Sequence, residues 1–129
     1  MSIEIDINAK RRRIVMTGRS QLTRHVLETA IRTLITHPRF DPGFDVCADF
    51  SEIVHLDLSV RDLQKLVEKS FSKRTDHGRV AIVTGEDQGR YSLGVYFKAL
   101  SESFTHTRQS IFRTADEAHA WLDLNAATA

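Results

Sequence analysis

Ile3, Ile5 and Ile7 alternate with Glu4, Asp6 and Asn8, the period of a strand with one buried face. A short turn around Ala9-Lys10 leads to a second run, Arg12 to Gly18, and the two predict an antiparallel hairpin at a sheet edge. Arginines and lysine suit an edge, since charge discourages pairing with another chain. Ser20 then reads as the N-cap of a helix, with Leu22, Val26, Leu27, Ala30, Ile31, Leu34 and Ile35 on one face. Pro38 ends that helix near His37.

Val46, Ala48 and Phe50 open a third strand, after which the alternation becomes irregular until Ser59. Ser59 and Asp62 have capping-box spacing, and Leu63, Leu66, Val67, Ser70 and Phe71 give the helix they open its apolar face. Arg79 to Thr84 is a nearly continuous apolar run, expected of a strand covered on both sides. A polar turn, Glu86 to Gly89, precedes a helix with Leu93, Tyr96, Phe97, Leu100 and Phe104 aligned. A short strand, Gln109 to Arg113, leads to a helix capped by Thr114 and Glu117, with Ala118, Trp121 and Leu122 facing the sheet. The order β-β-α-β-α-β-α-β-α predicts one α/β domain over residues 1–129, mainly parallel with an N-terminal antiparallel hairpin.

Composition narrows the function classes. A chain of 129 residues with 41% hydrophobic and 27% charged positions has a globular balance. Its 18 basic and 17 acidic residues give no overall pull toward nucleic acid or anionic membrane. Lys10-Arg11-Arg12-Arg13 is the one basic run, and on a turn and strand its side chains alternate faces, so no nucleic-acid partner is expected. No segment is long and apolar enough to span a bilayer, and the alternating N-terminus lacks a leader's apolar core. With Cys47 the single cysteine, there is no internal disulfide, and a cytoplasmic location is expected. His25, His37, His55, His77, His106 and His119 are dispersed without metal-ligand spacing, so neither a metal nor a cofactor is expected.

The segments Val46-Cys47-Ala48-Asp49-Phe50-Ser51 and Leu56-Asp57-Leu58-Ser59 resemble those of STAS domains, which share the SpoIIAA-like fold. There a buried strand ends in an acidic residue and an Asp-x-Ser segment opens the next helix. The resemblance implies Ser59 as the position of the phosphorylated serine of STAS antagonists, although Val60 and Arg61 stand where glycine usually follows. The stretch Ile111 to Leu122 resembles a bacterial STAS-like family of unknown function, whose members end in a phenylalanine strand and an Ala-Trp-Leu helix. STAS-like folds are also similar to the lipid-transfer CRAL-TRIO fold, which implies an apolar cavity bordered by the third helix.

Three functions follow. The first is a non-enzymatic domain binding a protein partner or small ligand through the carboxyl ends of the parallel strands, with Ser20, Asp49, Ser51, Asp57, Ser59, Arg61, Arg90 and Tyr91 as the candidate surface. The second is a carrier of a small apolar ligand or lipid, held against Tyr96, Phe97 and Leu100. The third is an enzyme in which Asp49 and Asp57 share acid–base work with a histidine. An edge hairpin and apolar helix faces also make a homodimer a reasonable expectation.

Overall fold

The computed structural model describes residues 3–71, 78–102 and 108–126. Phe104, His77 and His106, and the side chains of Ser70, Phe71 and Asn125, lie outside the described residues. In chain order the elements are β1 (Ile3–Asn8), β2 (Arg13–Thr23), α1 (Arg24–Ile35), β3 (Asp45–Asp57), α2 (Val60–Phe71), β4 (Val80–Val83), α3 (Gln88–Glu102), β5 (Gln109–Phe112) and α4 (Ala115–Ala126). The five strands form one sheet in the order β1-β2-β3-β4-β5. β1 runs antiparallel to β2, pairing Ile5 with Met16, and every other neighbour is parallel.

This order decides which face the helices cover. Each parallel strand is added on the same side of the last, so right-handed crossovers place their helices on one face. α1 accordingly packs Ala30 and Leu34 on Ile14, Met16 and Val46, while α3 brings Gly94 against Ile82 and Ile111. α4 follows the last strand and lies on the opposite face, where fully buried Ala118 and Leu122 meet Cys47, Ala81 and Val83. Burial, reinforced by Asp49, pushes the Cys47 thiol up to about 11, so it is a neutral packing group.

Four expectations need correction. Ser20 does not cap α1: β2 continues through it to Thr23, whose Oγ1 accepts from the Val26 amide at 3.1 Å. Ser20 instead adopts a left-handed backbone (φ 69°) within the strand. Leu22, expected on the helix, is a buried strand residue. The irregular stretch after Phe50 is strand as well. Two register shifts against β2 each insert one extra residue into β3, so Phe50, Ile53 and Leu56 reach the same core at intervals of three. A strict period of two hides such a strand. Trp121, finally, is only half-buried: it flanks Phe112 at 5.6 Å between centroids, with the Arg79 and Arg108 guanidinium groups over its ring. Ala118 and Leu122, one turn apart, occupy the centre of that helix face instead.

Local chemistry fixes the element ends. Ser59 and Asp62 form a reciprocal capping box, with the Ser59 amide donating to Asp62 at 2.9 Å and the Asp62 amide to Ser59 Oγ at 3.1 Å. The bonds from Ser59 hold the half-buried Asp62 carboxyl below its usual range. At α4 the Glu117 amide donates to Thr114 Oγ1 at 3.2 Å, while the Glu117 carboxylate takes the Thr114 hydroxyl at 3.0 Å rather than a backbone amide. At the amino ends of β3 and β4, Arg79 grips Asp45 with two guanidinium bonds of 3.2 and 2.6 Å. Gly78 passes the Phe44 carbonyl so closely that a Cβ there would lie 2.1 Å from its oxygen.

Candidate functional site

The carboxyl ends of the strands do not gather the polar candidates into one surface. Asp49 and Ser51 are neighbours on β3, where Asp49 Oδ1 accepts from the Ser51 amide at 3.0 Å and its hydroxyl at 2.7 Å. Ser51 lies beside Gly85 and the Arg90 guanidinium. Arg90 is half-buried and donates to the carbonyls of Thr84 (2.6 Å) and Ile53, tying the extended half of β3 to the end of β4. Tyr91 lies next to it, under the Arg113 guanidinium at 4.9 Å. Asp57, Ser59 and Arg61 form a separate, exposed tip at the far end of β3. Ser20 is exposed on β2, paired with Ile53.

Asp49 and Asp57 belong to one unbroken strand and stand on the order of 20 Å apart at the usual rise per residue. They cannot share a proton or a substrate bond as a pair. Among the described residues no three His, Cys, Asp or Glu side chains converge as metal ligands would. The basic run is also divided. Arg11 and Arg13 reach Asp123 of α4 at 3.3 and 2.7 Å, whereas Arg12 lies over the Phe44 ring. Arg13 is buried, and its other arm lies 3.2 Å from His119 Nδ1. Burial, then the Arg13 charge, holds the His119 pKa below its ordinary value.

An apolar concavity formed by the described residues lies on the face shared by α1, α2 and α3. Its volume is about 480 Å³, within the usual range for small-molecule sites. Its floor is the middle of the sheet: Val46, Ala48 and Phe50 from β3, with Val80 and Ile82 from β4. Leu27, Ile31 and Leu34 of α1 form one wall, and Leu93, Gly94 and Phe97 of α3 the other. The cause is the length of β3. It runs beyond β4, so α2 starts far out, where Leu63 and Leu66 pack with Leu22, Phe50 and Ile53 of the extended ends of β2 and β3 and the helix meets α3 and α1. The exposed lining residues Arg32, Ile35 and Pro42 mark the mouth.

Of the three aromatic and aliphatic residues expected at an apolar pocket, Phe97 lines this cavity. Leu100 packs into the neighbouring core without bordering it. Tyr96 is 36% exposed and does not border it. At 100° per residue, Leu93, Phe97 and Leu100 stay within a narrow stripe while Tyr96 falls at its edge. The contribution of α1 was not evident from the sequence. The cavity's one usable signal is small Ala48 on the strand floor, whereas Gly94 marks a close approach, since a Cβ there would meet Thr84 at 3.2 Å.

Among solved structures, this chain is similar to an uncharacterized protein of the DUF3478 family with a SpoIIAA-like fold from Shewanella loihica PV-4. The two share 19% identity at a TM-score of 0.56, over 94% of this chain and 92% of that one. No protein-family model and no curated protein matches the sequence. The chain therefore has the SpoIIAA-like fold expected from its strand and helix order. No described helix is long and apolar enough to cross a membrane.

Proposed function

We propose that this domain binds a small apolar molecule between the sheet and helices α1 and α3, and that its role is binding rather than catalysis. The observation that carries this reading is the cavity of about 480 Å³ with an almost wholly aliphatic and aromatic lining. Natural cores are packed close to crystal density, and an apolar space of this size forfeits contacts that a ligand would restore. Its volume also matches a drug-sized molecule with most of its surface covered. Native mass spectrometry of freshly purified protein, joined to displacement of an anilinonaphthalene dye, tests the proposal. A retained apolar mass, or a dye displaced by long-chain alcohols, supports it. A clean protein mass with no dye binding contradicts it.

A second reading, recognition of a protein partner, rests on the tip. Val60, next to Ser59, is 44% exposed there, and Val54, three residues before Asp57 on β3, is 76% exposed. Substituting both by Ser leaves the cavity untouched. Loss of a captured partner with that variant, and not with a cavity variant, would favour the tip.

A further inference from the structure

The cavity has four polar lining residues: Glu28, Arg32, Thr84 and Arg90. Three already have partners. The Thr84 hydroxyl donates to the Gly85 carbonyl at 3.1 Å, and Arg90 is committed to the Thr84 and Ile53 carbonyls. Glu28 faces Arg24 at 3.5 Å, one turn earlier on α1. Arg32 differs from these: it stands exposed at the mouth and forms no ion pair with any described residue.

We propose, building on the apolar-ligand reading above, that the ligand is a single-chain amphiphile with a monoanionic carboxylate head. Its chain lies over Ala48 and Ile82, and its head meets the Arg32 guanidinium at the rim. The fork of an arginine matches the two oxygens of a carboxylate. Glu28, one helical turn before Arg32 and also lining the cavity, adds a negative charge that disfavours a dianionic phosphate head. Arg32 sits in the last turn of α1, where any cation is favoured by the helix dipole. A loss of stability in an Arg32 variant therefore decides nothing, and head-group selectivity is the property to measure.

Calorimetric titrations with dodecanoate, dodecan-1-ol and dodecyltrimethylammonium, below their micellar concentrations, separate head from chain. Wild-type protein should bind dodecanoate about fivefold more tightly than the alcohol, the effect of one exposed ion pair. That preference should shrink as salt is raised. Arg32→Gln should bind the alcohol unchanged and lose the preference, and Arg32→Glu should favour the ammonium. Circular dichroism verifies that each variant is folded. Equal wild-type affinity for acid and alcohol, or a preference that survives in Arg32→Gln, overturns the head-group assignment and leaves apolar binding standing. Failure of all three probes to bind overturns both.

Discussion

Ala48→Leu tests whether the space over β3 is real. Ala48 is 8% exposed on the strand floor, and its side chain borders the cavity. Leucine adds three carbon groups, and burying them contributes roughly 2.4 kcal/mol at about 0.8 kcal/mol each. Ordering the longer side chain offsets roughly 0.5–1 kcal/mol of this. The variant should therefore gain about 1.5 kcal/mol, which raises Tm by roughly 5 °C for a domain of this size. A filled core gives the opposite sign, because extra methylenes forced into close packing cost about 1–3 kcal/mol. Urea unfolding of the two proteins, with unchanged m, measures the difference. A destabilised Ala48→Leu would refute the cavity, and with it the reason for expecting an apolar ligand.

Other predictions address the frame and its electrostatics. Gly78→Ala should destabilise by roughly 1–3 kcal/mol or more in denaturant unfolding, because its Cβ would meet the Phe44 backbone rather than a movable side chain. Ser59→Ala should cost about 1 kcal/mol through loss of the α2 cap, while Ser59→Asp should unfold at nearly the wild-type denaturant concentration because Asp caps as well. Acidification should weaken the contact between α4 and the sheet. His119 is held neutral in the fold, so its contribution is complete above the ordinary value of 6.5 and is lost as pH falls through 6.5 toward the lower folded value. His119→Asn should flatten that part of the stability profile. The losses at Asp62 and Asp123, whose carboxyls are held low, should appear only in more acidic solution.

Much of the frame was legible because it depends on local rules. Ser59-x-x-Asp62 announced its helix, and the apolar run ending at Thr84 announced a strand covered on both sides. Legibility failed where a neighbouring strand set the outcome. Gly18 and Ser20 carry turn and cap chemistry, yet pairing with β3 keeps that segment extended and places Ser20 in a left-handed backbone. The inserted residues in β3 defeated a period of two for the same reason. The site was harder still to read. Periodicity identifies Leu27, Ile31, Leu93 and Phe97 as inward-facing, but it is silent on whether the volume they face is filled. That depends on the length of β3 relative to β4, which sets where α2 begins. Asp49 and Asp57 looked related for the converse reason: nearness in sequence implied a shared surface that an extended strand does not provide.

Methyl NMR of the labelled protein, titrated with dodecan-1-ol, decides whether the cavity takes an apolar ligand, because it locates the ligand without relying on charge. Saturable shifts are expected for methyls of Ala48, Ile31, Ile82 and Leu93, which border the cavity, while Val83 and Leu122 beneath α4 stay unchanged. Shifts concentrated on the α4 face, or no saturable shift at all, would contradict it.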